Sequence, residues 1–241
     1  MVSRSWVQRS RHHHFTSLDF GLGDQAQMLA AFVDIIRSPL STVNHHVTTI
    51  RLDHVAKLPE VNVMALAVLP NIKSVSLQDT LSRERVRGAP SRPQEDASLT
   101  QPHYLSALLG HFTHLKHLNL SYIQLNSFTQ LIEIISASDT LETLSIEQVI
   151  LTAEPLTYDG ILENLPPPPP ALRSFHISYP GSQMYQLLYL WLLESPTTLL
   201  IDTLDLCNHA NHPQNIPSLL KSLGSSLEHL TIRHVRTDAD G

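Results

Sequence analysis

The sequence predicts an α/β fold: a curved solenoid in which about eight short parallel strands form a sheet on the concave side and helices back it on the convex side. Three observations predict it. A six-residue frame, apolar-x-x-apolar-x-apolar, recurs eight times along the 241 residues. The position between its last two apolar residues is polar in every copy, and the segments between frames place apolar residues at helical spacing.

In chain order the frames are Phe15/Leu18/Phe20, Val47/Ile50/Leu52, Ile72/Val75/Leu77, Leu115/Leu118/Leu120, Leu141/Leu144/Ile146, Leu172/Phe175/Ile177, Ile201/Leu204/Leu206 and Leu227/Leu230/Ile232. Their starts are separated by 32, 25, 43, 26, 31, 29 and 26 residues, an irregular but recurrent period. The last three residues of each frame alternate apolar, polar, apolar, the period of a strand with one face buried. The intervening residues are Asp19, Arg51, Ser76, Asn119, Ser145, His176, Asp205 and Thr231. Scattered leucines in a chain that is 42% hydrophobic would not keep that position polar eight times.

Helical spacing predicts helices over 26–36, through Leu29, Phe32, Val33 and Ile36, and over 128–138, through Phe128, Leu131, Ile132 and Ile135. Weaker versions lie at 104–109, 161–165, 185–193 and 216–223. Ser41, Ser127 and Asp159 are cap or turn candidates near these boundaries. A strand and helix of this length cannot bury their own apolar faces, whereas stacked units share one continuous core. Helices are thicker than strands, so such a stack bends. The reading assigns 16–236 to the solenoid.

Composition excludes several functions. A net charge of −6 argues against broad phosphate neutralisation, so nucleic acid is not an expected partner. The strongest apolar run, 187–193, is too short to cross a bilayer, and no secretory signal follows Arg4, Arg9 and Arg11, so no membrane partner is expected and the location expected is cytoplasmic or nuclear. The single cysteine, Cys207, excludes an intramolecular disulfide and fits a reducing compartment. No Gly-x-Ser-x-Gly elbow, phosphate loop or Gly-x-Gly-x-x-Gly is present, so neither catalysis nor a cofactor is expected. Gly21-Leu22-Gly23 reads as a turn. Histidine is frequent, at 15, but His111, His114 and His117 straddle the approach to a strand, and no metal site is expected.

Two segments break the rhythm. Residues 82–101 carry Arg83, Arg85, Arg87 and Arg92 among prolines and acids, and read as a disordered insertion or as a dock for an acidic partner. Residues 166–170 are five consecutive prolines, either a rigid connector or a polyproline ligand for an aromatic-lined groove.

The frame matches Leu-x-x-Leu-x-Leu, and in this the chain resembles leucine-rich-repeat proteins. The family pattern puts Asn or Cys at the ninth position, which here holds Gly23, Val55, Thr80, Ile123, Val149, Pro180, His209 and Val235. An asparagine ladder is therefore absent. Ahead of the first frame, Val2-Ser3-Arg4-Ser5-Trp6-Val7, Arg9-Ser10-Arg11 and Phe15 are similar to the closing stretch of an F-box of the fungal type, with Ser3 where Cys is usual.

That resemblance implies a substrate receptor of an SCF-type ubiquitin ligase, working in ubiquitin-dependent protein degradation, whose F-box docks a Skp-type adaptor. Residues 1–15 would be the remnant of that F-box, with Val2, Trp6 and Phe15 its adaptor-docking residues, or else a cap on the first repeat. With the front of the F-box missing before Met1, weak adaptor binding or none is expected.

On a one-face-buried sheet the outward residues are Asp19, Arg51, Ser76, Asn119, Ser145, His176, Asp205 and Thr231, each joined by the polar residue two before it. A polar concave strip favours a protein partner or substrate over a small apolar ligand. The strip lacks aromatic anchors, so Tyr122 and Tyr158 in neighbouring loops are candidates to supply them. The reading is a non-catalytic protein-interaction module; its rival is a structural or regulatory scaffold with no link to ubiquitin transfer.

Overall fold

A computed structural model of the chain describes residues 15–21, 24–79, 103–152, 164–178, 182–195, 199–209 and 216–235. Each of the eight frames ends in a strand. In chain order the strands are β1 (Ser17–Phe20), β2 (Thr49–Asp53), β3 (Ser74–Gln78), β4 (His117–Ser121), β5 (Gln124–Leu125), β6 (Thr143–Glu147), β7 (Ile150–Leu151), β8 (Ser174–Ser178), β9 (Thr203–His209) and β10 (His229–Val235). Eight of them form one sheet in the order β1-β2-β3-β4-β6-β8-β9-β10, and every pairing in it is parallel. The sheet is open, with β1 and β10 at its edges.

Register follows the frames. Leu18, Ile50, Val75, Leu118, Leu144, Phe175, Leu204 and Leu230 lie side by side across the sheet, as do Phe20, Leu52, Leu77, Leu120, Ile146, Ile177, Leu206 and Ile232. A one-residue slip in any strand would turn its apolar pair to the opposite face, which is why pattern and register agree. The first residue of each frame lies just before its strand, and Val47, Ile72, Leu115, Leu141, Leu172 and Ile201 are buried.

One backbone device repeats at every crossing. The carbonyl oxygen ahead of each strand accepts two successive N–H groups from the next rung: Thr16 from Thr48 and Thr49, Thr48 from Lys73 and Ser74, Lys73 from Lys116 and His117, Lys116 from Glu142 and Thr143. Glu142, Arg173 and Asp202 continue the series as far as His229. The chain entering each strand thus has its donors satisfied without side chains.

At the far ends of three strands the turn residue is left-handed: His54, Tyr122 and Gln148 have φ of 48°, 58° and 48°. For a residue with a Cβ this costs about 1–3 kcal/mol. The next residue is the ninth of its frame, and Val55, Ile123 and Val149 are buried there. Apolar burial holds the turn where a side-chain amide would otherwise do so. The turn backbone is bonded to its neighbours directly, Tyr122 N–H to the Glu147 carbonyl at 2.8 Å and Gln148 N–H to that of Ser178 at 2.9 Å. The small β5–β7 pairing extends this second ladder.

Among the described residues there are six α-helices: α1 (Gln25–Arg37), α2 (Glu60–Met64), α3 (Leu105–Gly110), α4 (Phe128–Ile135), α5 (Ser182–Leu193) and α6 (Ile216–Leu223). Leu29, Phe32, Val33 and Ile36 of α1 and Leu131, Ile132 and Ile135 of α4 join the inward strand residues in one core. Asp24 caps α1, its Oδ1 accepting from Gln27 N–H at 3.2 Å, and Ser127 caps α4 through Gln130 N–H at 3.2 Å. Ser41 is a turn residue rather than a cap: its N–H donates to the Ser38 carbonyl at 2.9 Å and its hydroxyl to Asn44 Oδ1. The helix expected to reach 138 stops at Ile135, where Ser136 turns its hydroxyl to the Pro167 carbonyl.

Helix α2 and the 3-10 turn Ala65–Val68 after it went unmarked by periodicity, because they bury only Val63 and Leu66. Of the helix expected at 161–165 only 164 and 165 are described, and neither is α-helical. Residues 1–14, Asp159 and the insertion at 82–101 lie outside the described residues.

The proline run is part of the packed structure. Pro168 and Pro169 are buried, the Pro166 carbonyl accepts from Trp191 Nε1 at 2.8 Å, and the Pro167 carbonyl accepts from Ser136. This favours the connector over the ligand, since a groove-binding ligand must expose its rings. The sheet is less well covered at its last strand: Leu230 and Ile232 are 44% and 40% exposed, whereas Leu204 and Leu206 beside them in register are 0%. Among the described residues no helix is long and apolar enough to cross a membrane.

Candidate functional site

The face of the sheet opposite the core carries three polar rows. The middle row runs Asp19, Arg51, Ser76, Asn119, Ser145, His176, Asp205, Thr231, each the direct register partner of the next. All eight residues singled out by the frame are thus brought onto one line. The row before it runs Ser17, Thr49, Ser74, His117, Thr143, Ser174, Thr203, His229. The row after it, Asp53, Gln78, Ser121, Glu147, Ser178, Cys207, Arg233, lies beyond the six-residue frame. Strand alternation carried one residue past each frame marks it as outward.

The middle row is not chemically uniform. At its first end Arg51 bridges three strands: Nη2 donates to Gln78 Oε1 at 2.9 Å, and Nη1 lies 3.5 Å from Asp19 Oδ2. Asp19 Oδ1 also accepts from Gly21 N–H at 2.7 Å, and a Cβ at residue 21 would come within 2.8 Å of that oxygen. A side chain there would displace the Asp19 carboxylate from this bond. In the centre the row is neutral, with Asn119 Nδ2 donating to Ser76 Oγ at 3.3 Å and Ser121 Oγ to Asn119 Oδ1 at 3.0 Å.

At the other end Asp205 faces the side chains of Arg233 and His176. Arg233 pairs with both its oxygens, Nε lying 3.4 Å from Oδ1, and His176 Nδ1 is 3.7 Å from Oδ2. Ser174 Oγ is 2.9 Å from His176 Nε2. Serine, histidine and aspartate are the residue types of a nucleophilic relay, which needs the carboxylate hydrogen-bonded to the imidazole. At 3.7 Å it is not, and Arg233 holds the carboxylate instead.

Between the two ends the face dips into a depression of about 310 Å³ lined by Arg51, Ser76, Gln78, Asn119, Ser121, Tyr122 and Glu147. It has a cation on one flank and an anion on the other. Tyr122 belongs to it because its left-handed backbone ends β4, and its hydroxyl donates to Glu147 Oε1 at 2.9 Å. Tyr122 was expected from its loop; Gln78, Ser121 and Glu147 were missed because the frame stops one step short of them. Tyr158 is outside the described residues.

Near the same rim the His54 imidazole Nδ1 lies 3.1 Å from Asp79 Oδ1, and buried Asp53 accepts from His54 N–H at 2.8 Å. At the strand entrances Lys116 Nζ sits 2.6 Å from Glu142 Oε1, and that bond holds the Glu142 carboxyl below its usual range. Cys207 occupies an outward register position yet is buried. Among the described residues no group of three or more His, Cys, Asp or Glu is placed to hold a metal ion.

Of the residues expected to dock an adaptor, Val2 and Trp6 lie outside the described residues, and Phe15 is half-buried against the core. No protein-family model matches the chain, and no curated protein matches it.

Proposed function

We propose that this chain is a non-catalytic protein-recognition module: a leucine-rich-repeat-like solenoid, curved with its polar sheet face inward, that receives a protein partner or substrate in the manner of an F-box substrate receptor. One observation carries the reading. Eight outward residues, contributed by eight separate rungs, form an unbroken polar line beside a polar depression. A broad, rigid, hydrogen-bonding surface suits an extended polypeptide, whose backbone presents donors and acceptors at regular intervals. A chain with a single cysteine, Cys207, fits work in the cytoplasm or nucleus.

Two experiments test it. A photo-crosslinking residue placed at Ser145, on the sheet face, is expected to capture a polypeptide in cells, while the same residue at exposed Asp34 of α1 does not. Crosslinking from Asp34 alone removes the sheet face as the docking side. The ubiquitin link is tested by mixing the purified chain, and an N-terminally extended form, with purified Skp-type adaptor. A complex with either favours the receptor. No complex with both favours the structural or regulatory scaffold, as does the packing of Phe15 against the core, the role of a repeat cap rather than of an adaptor contact.

A further inference from the structure

We infer that the depression on the sheet face selects an extended polypeptide segment carrying an acidic residue and a basic residue four positions apart, laid across the strands with the acid on Arg51 and the base on Glu147. This rests on the reading of that face as a docking surface and names what it would select. The two charges stand on the outer two of four neighbouring strands, Arg51 on β2 and Glu147 on β6, with β3 and β4 between them. Strands lie about 4.8 Å apart, and Glu147 stands two residues beyond Ser145, the row partner of Arg51. Arg51 leans one strand inward to reach Gln78, so its guanidinium and the Glu147 carboxylate are two to three spacings apart across the sheet and up to two residues apart along it, about 10–16 Å.

An extended chain advances about 3.3 Å per residue and presents alternate side chains on one face. Residues at i and i+4 are therefore about 13 Å apart and point the same way, those at i and i+2 span only about 7 Å, and those at i and i+3 point oppositely. The floor between the charges is neutral, formed by Ser76, Gln78, Asn119 and Ser121. Those amides and hydroxyls face the stretch of partner backbone between its two charged residues. Both charges are held in place before a partner arrives, Arg51 by Gln78 and Asp19, Glu147 by Tyr122. Less side-chain entropy is then lost on binding.

The probes are nine-residue, fluorescently labelled peptides of Ser and Thr with Glu at the third position and Lys at the seventh. The comparison peptides have the pair spaced by three or two, two Glu, two Lys, or Gln in place of either charge. Anisotropy titration at low salt is expected to give the four-spaced pair an affinity about two- to five-fold above each comparison, the size of one exposed ion pair, and to lose that margin in high salt. Arg51→Gln removes the advantage of Glu over Gln in the peptide, and Glu147→Gln that of Lys. Arg51→Lys retains most of it. The peptide-side substitutions read the same contacts on the intact protein, so the test does not depend on the variants folding.

Affinities indifferent to spacing and charge, or no binding by any of these peptides, overturn the inference. If crosslinking from Ser145 persists in that case, the docking surface stands without this selectivity. If it is absent too, both fall.

Discussion

The indole Nε1 of Trp191 donates to the carbonyl oxygen of Pro166 at 2.8 Å, tying α5 to the proline run that leads into β8. Trp191 is buried, and the only other tryptophan is Trp6. Replacing it by Phe leaves that carbonyl without its partner and opens space in the core. Trp191→Phe is expected to cost about 1–3 kcal/mol, read as a lowered urea midpoint. In a Trp6→Phe background the folded protein is expected to emit at the short wavelengths of a buried indole and to shift red on unfolding.

Register makes the apolar row a controlled series. Leu204→Ala in β9 is expected to cost about 2–5 kcal/mol, and Leu230→Ala at the partner position in β10 less than about 1 kcal/mol, because only the first is fully enclosed. Ser145→Ala on the opposite face should stay within about 0.5 kcal/mol. Equilibrium denaturation of the three variants checks the order; equal losses at Leu204 and Leu230 would mean that the edge is covered in solution.

Ser127 caps α4, which is only eight residues long, and Gln130 Oε1 accepts in return from Asn126 N–H at 2.9 Å. Ser127→Ala is expected to destabilise by about 0.5–2 kcal/mol and Ser127→Asp to restore most of it. Thermal denaturation of the pair decides whether the hydroxyl matters as an acceptor.

Burial, with Glu60 adding to it, pushes the Tyr104 hydroxyl up to about 12 from an ordinary 10, and the hydroxyl donates to the Val55 carbonyl at 3.2 Å. The folded state therefore keeps this proton after the unfolded chain has released it. Stability from this group is unchanged below pH 10 and falls as pH rises from about 10 to 12. Absorbance titration at 295 nm is expected to show a late-ionising tyrosine, and Tyr104→Phe should flatten this part of the stability profile.

At the acid end the sign is opposite. Lys116 holds the Glu142 carboxyl low, so the bond's contribution is present above the ordinary carboxylate pKa and is lost as pH falls below it. The pair is exposed, so the expected slope is shallow and weakens in salt; Glu142→Gln should remove it.

Much of this architecture was legible in the residue pattern because burial and alternation are the same physical fact seen twice. Leu144 and Ile146 flank Ser145 in the chain, and a strand with one face in the core sends those three side chains in, in and out. Eight such triplets predicted eight rungs, and the outward residues predicted the polar line. Helix α6 was legible to the residue, since Ile216, Leu219 and Leu223 keep helical spacing with no break. Helix α2 was not, because two buried residues carry no period.

The depression was half legible. Arg51, Ser76 and Asn119 belong to the frame, but Gln78 and Glu147 follow it, and what draws them in is neighbouring-strand chemistry, Arg51 leaning onto Gln78 and Tyr122 onto Glu147. The frame residues lie 25 to 43 positions apart across these rungs, a distance over which no local pattern specifies contact. The fate of the prolines was equally illegible: whether 166–170 stands free or packs depends on Trp191, some 20 residues on.

By itself, then, the order of residues determined which side chains go inward, how many rungs there are and which residues share a face, since those follow from local periodicity and the cost of leaving apolar surface wet. Only the tertiary structure decided which outward side chains meet, where the face dips and which rung lies uncovered. Those outcomes depend on register between strands distant in the chain, and on hydrogen bonds whose geometry no single segment contains.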